Sequence, residues 1–379
     1  MKLIHLSDLH LGKRLNEFSL IEDQNYILSE ILKIIDDEQP DGIIIAGDVY
    51  DKSVPTGEAV EMFDDFLVKL AKKNLQVYVN SGNHDSPERL AFGNRIMNAS
   101  GIHFSSVYNG TPDHFEAEDE YGKVMIYLLP FIKPAHVRRF FPDESIESYT
   151  DALKVAVNAM NINKDIRNVL LSHQFVTGAQ RSESEEISVG GSDNVDSDVF
   201  ADFDYVALGH IHRPQNIEKN KIRYCGSPLK YSFSESPYEK SVTVVELKEK
   251  GGVNVYTVPL HPLRDMAELK GKYDELTLKS YYEGTTYRED YIHITLTDED
   301  DIPDVMSKLR VIYKNLMKLD YDNKRTRHQA ELNGMEDIEH KSPNELFSEF
   351  YYQQNGVEMT EEQAQYINNM IENIWEEQL

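Results

Sequence analysis

The sequence holds a single cysteine, Cys225, so no disulfide can form within the chain. Scarce cysteine is typical of proteins that work in a reducing compartment. No apolar run approaches the roughly 20 residues that span a bilayer, and the polar start from Met1 to Asp8 does not fit a signal peptide. We therefore predict a cytoplasmic protein without a membrane segment.

Basic residues are also scarce: 39 Lys and Arg stand against 66 Asp and Glu, for a formal net charge of -27 at pH 7. Proteins that bind nucleic acid usually carry a basic face, so this balance argues against a broad DNA-binding surface. Much of the acidity is terminal, since residues 336–379 hold 11 Asp and Glu against one Lys. Two hypotheses stay open. The protein binds nucleic acid through a local surface whose positive charge comes from bound metal or from a partner, or its substrate is a small molecule.

The first two thirds of the 379 residues alternate short apolar runs with segments of helical periodicity, which is typical of an α/β layered sheet. Gly42–Ala46 is fully apolar, as expected of a parallel strand covered on both faces. Runs near Ile222, Ser241 and Val253 predict strands that complete the second layer. The pattern also predicts helices over 21–37, 56–73, 87–98 and 145–160, and a polar loop over 181–198.

Polar clusters follow five of the predicted strands. Because open α/β sheets place their chemistry at the carboxyl ends of strands, we expect these clusters at the same end of one sheet. In Asp-x-His and His-x-His, both side chains lie on one side of an extended backbone. The clusters are Asp8-x-His10, Gly47-Asp48, Gly82-Asn83-His84-Asp85, His173 and His210-x-His212.

Each cluster alone has an ordinary explanation, because a lone His is often structural and a lone Asp often caps a helix or turn. Together they fit a metal centre better. Two divalent ions about 3.5–4 Å apart need a bridging carboxylate and further ligands on each side. Imidazole, carboxylate and carbonyl oxygen without thiolate suit Mn, Fe or Zn.

The ordered set of clusters resembles the calcineurin-like metallophosphoesterase superfamily, and the surrounding residues resemble the SbcD family of DNA nucleases. The likeness runs from Met1 to about Asp265. The motifs that carry the closer likeness are His10-Leu11-Gly12-Lys13, Gly47-Asp48-Val49-Tyr50-Asp51, Ser172-His173-Gln174-Phe175-Val176, Val189-Gly190-Gly191-Ser192, Tyr224-Cys225-Gly226-Ser227-Pro228 and Ser232-Phe233-Ser234-Glu235.

The resemblance implies a nuclease domain over 1–265, built as a layered β-sandwich flanked by helices. It also implies a DNA-capping α+β domain over 266–340 and a helical partner-binding segment over 341–379. The implied activity is metal-dependent hydrolysis of DNA, as a duplex exonuclease and a single-strand or hairpin endonuclease in repair and recombination. The implied partner is the coiled-coil ATPase SbcC, with a homodimer inside a heterotetramer.

The resemblance further assigns roles to the residues of the clusters. Two divalent ions, Mn in this family, are implied, with Asp48 bridging them. His84 is not a ligand but the catalytic residue, and Asp85 orients His84 or its loop. The implied ligands are Asp8, His10, Asp48 and His212 for one ion and Asp48, Asn83, His173 and His210 for the other.

The sequence departs from archaeal and eukaryotic relatives at Asp51, where those relatives carry a second histidine. A carboxylate cannot serve as a cationic phosphate contact. Lys13, Arg14 and Arg89 are candidates for that contact, although a solvated surface charge explains each of them as well.

Two helix starts lie near the carboxyl end, at Ser342-Pro343-Asn344-Glu345 and Thr360-Glu361-Glu362-Gln363. The resemblance favours their docking on SbcC over packing on their own domain. Two rival functions stay open. One is a small-substrate metallophosphodiesterase or protein phosphatase, and the other is a catalytically silent scaffold for an ATPase.

Overall fold

The computed structural model describes residues 1–183, 185, 193–324, 326, 342–355 and 358–377. The motif at 189–192, much of the predicted loop over 181–198 and the end of the predicted capping domain lie outside the described residues. The chain forms two compact units. The first comprises the described residues of 1–185 and 194–267, and the second comprises residue 193 and the described residues of 268–379. The boundaries at 266 and 341 stay predictions.

Within the described residues, the strands form two six-stranded sheets, one three-stranded sheet and a two-stranded ribbon. The strands are β1 Lys2–Leu6, β2 Arg14–Leu15, β3 Phe18–Ser19, β4 Gly42–Ala46, β5 Gln76–Asn80, β6 Ile102–Phe104, β7 Asp113–Asp119, β8 Gly122–Leu129, β9 Arg167–His173, β10 Tyr205–Gly209, β11 Gln215–Glu218, β12 Ile222–Tyr224, β13 Ser241–Leu247, β14 Val253–Pro259, β15 Met266–Gly271, β16 Tyr291–Leu296 and β17 Asn315–Tyr321.

The helices of the described residues range from single turns to five turns. They are α1 Ile21–Glu38, α2 Gly57–Lys72, α3 Pro87–Leu90, α4 Asn94–Met97, α5 Pro134–Arg138, α6 Tyr149–Asn158, α7 Tyr273–Leu276, α8 Lys279–Tyr282, α9 Val305–Arg310, α10 Pro343–Asn355 and α11 Glu361–Glu377. In the described parts of the chain, no helix is long and apolar enough to cross a membrane.

The two large sheets pack face to face in the first unit, which confirms the predicted sandwich. Their orders are β14-β13-β1-β4-β5-β6 and β11-β12-β10-β9-β8-β7. Side chains from both sheets, such as Ile44 and Tyr78 from one and Leu171 and Ala207 from the other, share one buried core. Alternate residues of a strand face opposite ways. Leu170 therefore packs on the outer face, where Leu153 of α6 belongs to a second buried core.

Two details of the expected fold are wrong. The strands β13 and β14 do not complete the second layer, because β13 pairs antiparallel with β1 and extends the first sheet. The single helix expected over 87–98 is two short helices, α3 and α4. Gly93 separates them with a φ of +78°, which interrupts right-handed helical backbone.

The second unit contains a three-stranded sheet of order β15-β16-β17, in which β16 and β17 run parallel. Helix α9 connects these two strands, as a parallel pair requires a crossover. Both helix starts near the carboxyl end form capping boxes. Ser342 and Glu345 exchange hydrogen bonds, and so do Thr360 and Gln363. The second unit is thus an α+β arrangement followed by two helices.

Candidate metal centre

The five polar clusters meet at one edge of the sandwich. They come from two sheets rather than the one expected, because β1, β4 and β5 lie in the first sheet and β9 and β10 in the second. Strands β1, β4 and β5 run parallel to one another, as do β9 and β10. The cross-sheet contact is direct: the backbone N–H of His210 donates to Asp8 Oδ1 at 2.9 Å.

Asp48 lies at the centre of this group. Its Oδ2 is 3.1 Å from His173 Nε2 and 3.6 Å from His10 Nε2. Its Oδ1 accepts the backbone N–H of His84 at 2.9 Å. One buried carboxylate thus contacts histidines from both sheets, which is the position a bridging ligand needs.

One side of Asp48 is formed by His10, His212 and Asp8. The Nε2 atoms of His10 and His212 are 3.1 Å apart. One ligand atom from each of these three buried residues lies within 4.8 Å of the others. The set combines two imidazoles and a carboxylate.

The other side is formed by Asn83, His173 and His210. Asn83 Oδ1 lies 3.1 Å from His173 Nε2 and 3.0 Å from His210 Nδ1. The Nδ1–H of His173 donates to the Ala46 carbonyl at 2.8 Å, since a carbonyl only accepts. That bond leaves the lone pair of a neutral His173 on Nε2, facing Asn83 and Asp48.

Backbone strain is concentrated at this edge. Asp8, His10, Asp48 and His210 adopt φ values of +52°, +43°, +50° and +95°. Residues other than glycine rarely adopt such φ values. These backbone angles persist only where the surrounding contacts hold them in place, often at functional sites. The sequence gives no signal for this, because none of the four residues is a glycine.

Glycines make room for the same side chains. A Cβ on Gly82 would collide with the carboxylate of Asp48, and one on Gly209 would collide with the carbonyl of Ala46. Gly47 adopts a φ of +86°, and a Cβ there would collide with the ring of His173. Gly47 is therefore required by close approach as well as by backbone angle, and Gly82 by close approach.

The protonation states reflect burial and close pairing. Burial raises the pKa of Asp48, but the charge and hydrogen bond of His173 outweigh it and hold that pKa well below its ordinary value. For His173, burial lowers the pKa, but Asp48 outweighs it and raises the pKa to about 9. Burial holds the pKa of His10 and of His210 well below the usual value. These two rings are neutral, as metal ligands must be.

The residues present fit a pair of divalent cations. The donor set contains two carboxylates, an amide oxygen and four imidazoles, all turned toward one another, with no thiolate. The facing nitrogens of His10 and His212 are the clearest sign, since two buried ring nitrogens converge there. A hard or borderline cation suits this mixture.

The expected catalytic histidine, His84, and the nearby Asp51 and Asp85 have distinct contacts. His84 Nδ1 donates to the Asp51 carbonyl at 3.1 Å. The carboxylate of Asp85 accepts the backbone N–H groups of Val49, Tyr50 and Gly82 at 3.0–3.1 Å. Burial, with the charge of Asp48, raises the pKa of Asp85 to about 6. Asp85 therefore ties the two ligand loops together, while Asp51 contacts the ring of His84.

The three candidate cations differ in position. Lys13 Nζ is 2.7 Å from Asp51 Oδ1, and its side chain is only 17% exposed. Arg14 is exposed and donates to the Glu17 carbonyl. Arg89 is also exposed and donates to the Ser53 carbonyl. Lys13 is the candidate that the fold brings beside the site.

Sequence reasoning missed three residues that hold His212. Glu235 Oε1 is 3.3 Å from His212 Nδ1, and Glu185 Oε1 accepts the backbone N–H of His212 at 2.7 Å. Lys240 Nζ donates to Glu235 Oε2 at 2.5 Å and to the His212 carbonyl at 2.8 Å. Burial raises the pKa of Glu235, but Lys240 and His212 outweigh it and hold it below the usual range. Only Glu235 had a signal, through the Ser232–Glu235 motif.

Two solved structures resemble the chain weakly. TT1561 of Thermus thermophilus has 13% identity and a TM-score of 0.37, covering 68% of this chain and 98% of that one. The phosphoesterase Yfce of E. coli has 14% identity and a TM-score of 0.28, covering 69% of this chain and 100% of that one. At these TM-scores neither likeness supports a conclusion about this protein.

Sequence comparisons are more decisive. Residues 1–214 match the family model of the calcineurin-like phosphoesterases, and residues 262–355 match the SbcD_C model, described as the type 5 capsule protein repressor C-terminal domain. The SbcD subunit of the SbcCD nuclease from Staphylococcus epidermidis is 35% identical over 323 residues, which are 84% of this chain and 85% of the relative. This chain belongs to the SbcD family of nuclease subunits, within the calcineurin-like phosphoesterases.

Proposed function

We propose that this chain is the nuclease subunit of an SbcC–SbcD type complex and hydrolyses phosphodiester bonds of DNA. The observation that carries the proposal is the position of Asp48, between two sets of buried ligands from two sheets. Family membership supports metal-dependent phosphoester hydrolysis. The finer activities proposed are exonuclease action on duplex ends and endonuclease action on single strands or hairpins.

The proposed ligands follow the two sides of Asp48. Asp8, His10, Asp48 and His212 would hold one ion, and Asp48, Asn83, His173 and His210 the other, with Mn as the proposed metal. When bound, two such ions polarise phosphoryl oxygens and make a water molecule nucleophilic at neutral pH. The site carries two carboxylates, so two dications leave it formally positive. That local charge attracts a phosphodiester despite the distant, screened acidity of the chain.

His84 is the proposed catalytic residue, and its hydrogen bond defines the atom it uses. Its Nδ1–H is committed to the Asp51 carbonyl. The imidazolium therefore carries its second proton on Nε2, from which it stabilises the developing charge or protonates the leaving oxygen. A positioned acid of this kind contributes about 10²- to 10⁴-fold.

The experiment supplies the purified protein with Mn²⁺, an end-labelled duplex, a nitrophenyl phosphodiester and the SbcC-type partner. We expect cleavage of the DNA, and His84→Ala should abolish cleavage while two Mn²⁺ ions still bind. Robust turnover of the small ester with intact DNA would favour the rival small-substrate enzyme. Metal binding without turnover of either substrate would favour the silent scaffold.

The helices α10 and α11 are proposed to dock on the partner ATPase. Tyr366 and Met370 of α11 are 67% and 39% exposed. Both are large apolar or aromatic side chains one turn apart on the same helix face. Tyr366→Asp with Met370→Asp should prevent co-purification with an SbcC-type ATPase. Val311→Asp, on the exposed end of α9, is the matched control and should bind normally. Retained binding by the double variant would refute the docking proposal.

The remaining parts of the proposal concern assembly and place of action. We include a homodimer within a heterotetramer, a cytoplasmic location and a DNA-capping role for residues 266–340. Light scattering of the purified chain tests the dimer directly. A monomer at all concentrations would refute it.

A further inference from the structure

The histidines of the site differ in what their Nδ1 atoms contact. His173 Nδ1 donates to the Ala46 carbonyl and His84 Nδ1 to the Asp51 carbonyl. His212 Nδ1 lies 3.3 Å from a carboxylate oxygen of Glu235. Among the described residues, His10 Nδ1 is buried and has no hydrogen-bond partner. A neutral His10 whose Nε2 lone pair faces His212 must carry its proton on that Nδ1.

The carboxylate near this unpaired atom belongs to Asp51. Its Oδ1 lies 3.8 Å from His10 Nδ1. This distance is beyond hydrogen-bond range, and a shift of less than about 1 Å would bring it within range. The carbonyl of Asp51 meanwhile holds the ring of His84. The rings of His10 and His84 stand edge to face with centroids 4.9 Å apart, and Asp51 lies beside the Nδ1 atom of each ring.

Asp51 is itself held from two directions. Its backbone N–H donates to the Leu11 carbonyl at 3.2 Å, which fixes it beside the Asp8-x-His10 loop. Its carboxylate pairs with Lys13 at 2.7 Å, and both side chains are mostly buried, at 14% and 17% exposure. The ammonium group of Lys13 also lies 5.5 Å from the centre of the Tyr231 ring. The pair is a fixed feature of the site wall rather than a solvated surface contact.

We propose that Asp51 is a positioning residue for His10 and His84, and that Lys13 holds its carboxylate in place. The carboxylate receives the Nδ1–H of His10 and so keeps the lone pair on Nε2, toward His212. Carboxylates that orient a ligating histidine in this way typically change metal affinity by 10- to 100-fold when removed. The inference rests on the proposed metal centre, and it gives the departure at Asp51 a role other than phosphate contact.

The test measures Mn²⁺ binding to the full-length chain by calorimetry, which needs no nuclease activity. Asp51→Ala should weaken binding of the ion that His10 would hold roughly 10- to 100-fold. Asp51→Asn keeps an acceptor oxygen and should bind at least about threefold more tightly than Asp51→Ala. Equal losses in the two variants would show that only the charge of Asp51 matters and would overturn the proposal.

Lys13→Met distinguishes a positioning role of Lys13 from a purely electrostatic one, because the two predict opposite changes in Mn²⁺ affinity. Removing a positive charge near a cation site should tighten Mn²⁺ binding if only charge matters. Loss of the anchor for Asp51 should instead weaken it a few-fold, with no further loss when combined with Asp51→Ala. Tighter binding in Lys13→Met would overturn the role given to Lys13.

The matched control is Arg14→Met, which removes an exposed cation one residue further along the chain. It should leave Mn²⁺ affinity unchanged. If Asp51→Ala and Lys13→Met slow DNA cleavage but bind Mn²⁺ like the unmodified protein, the pair contacts substrate and the positioning proposal is wrong. An unmodified protein that binds two Mn²⁺ ions yet leaves DNA intact would refute the proposed function alone.

Discussion

The Nε2 atoms of His10 and His212 face each other at 3.1 Å, and both residues are buried. His10 follows a strand of the first sheet and His212 a strand of the second, so packing of the sandwich creates the pair. Two buried nitrogens this close can share one proton, or both can donate lone pairs to a cation. The surrounding carboxylates favour the cation.

We therefore expect His212→Ala to reduce the number of bound Mn²⁺ ions from two to one. The remaining set around Asp48, Asn83 and His173 keeps its ligands. Calorimetric stoichiometry on the full chain checks this. His261→Ala removes an exposed imidazole of the same unit and should still bind two ions. Two ions at unchanged affinity in His212→Ala would contradict the ligand assignment.

Gly82→Ala tests whether the backbone at Asp48 has room for a side chain. A Cβ at this position collides with the Asp48 carboxylate. That carboxylate cannot move away without losing its contacts with His10 and His173. We expect loss of metal binding and at least about a 100-fold loss of nuclease activity, since misplacing a catalytic group by about 1 Å costs that much.

Gly57→Ala is the matched control for this substitution. Gly57 begins α2, and a Cβ there meets no atom within 4 Å. Ala in place of Gly should leave activity intact and stabilise the helix by about 0.5–1 kcal/mol. Urea unfolding and Mn²⁺ titration of both variants make the comparison. Normal metal binding in Gly82→Ala would show that the loop adapts.

Glu235→Leu, which removes both acceptor oxygens at similar volume, should affect both stability and metal binding. The substitution leaves the ammonium group of Lys240 buried with only the His212 carbonyl and the Ser227 hydroxyl as partners. Breaking a buried ion pair from one side costs about 3–5 kcal/mol of unfolding free energy. The Nδ1–H of His212 also loses its carboxylate acceptor, so we expect a 10- to 100-fold loss of Mn²⁺ affinity.

The double variant Glu235→Leu with Lys240→Met separates these two effects. Removing both charges should recover much of the stability, because no unpaired ion remains buried. Metal affinity should stay low, since the acceptor for His212 is still absent. Denaturant unfolding gives the stability, and metal titration gives the affinity. Recovery of both quantities together would mean that Glu235 acts only through folding.

His5 should contribute to the pH dependence of stability. The ring is fully buried on β1, with Nδ1 2.9 Å from the Tyr205 hydroxyl. Burial, reinforced by the charge of Arg223, lowers the pKa of His5 from 6.5 to about 3. Below pH 6.5, His5 therefore binds a proton in the unfolded chain but stays neutral in the folded chain until the pH approaches 3. The contribution of neutral His5 is complete above pH 6.5 and is lost as pH falls toward 3.

We expect His5→Gln to flatten the stability profile over this range. The slope of unfolding free energy against pH should fall by about 1.4 kcal/mol per pH unit between pH 4 and 6. Urea unfolding of the metal-free protein at several pH values measures it. His261→Gln, at an exposed position, should leave the slope unchanged. An unchanged slope in His5→Gln would mean that His5 titrates normally in the folded protein.

Several features of the protein followed from local sequence. The apolar run Gly42–Ala46 is a parallel strand, and the capping boxes at Ser342 and Thr360 begin helices where they should. Such signals are local, since a strand buried on both faces needs an apolar run and a helix start needs a capping side chain. The polar clusters after five strands likewise placed the candidate ligands at strand ends.

The sequence could not show how distant segments meet. Nothing in the run over Ser241–Leu247 indicates that it extends the first sheet beside β1, because pairing depends on the partner strand rather than on the strand's own pattern. Gly93 divides a predicted helix, and the sequence does not show this because glycine adopts positive and negative φ about equally readily.

By itself, then, the sequence determined which residues end the strands and what ligand chemistry they offer. The tertiary structure decided which of them converge. It placed His10 opposite His212 across two sheets and buried Glu235 and Lys240 beside His212. It also placed Lys13 beside the site, whereas Arg14 and Arg89 are exposed. The physical reason is the sequence separation of the contacts involved. Strand ends and helix caps depend on residues that are near in sequence, whereas a metal centre depends on contacts between distant segments. His10 and His212, for example, are 202 residues apart.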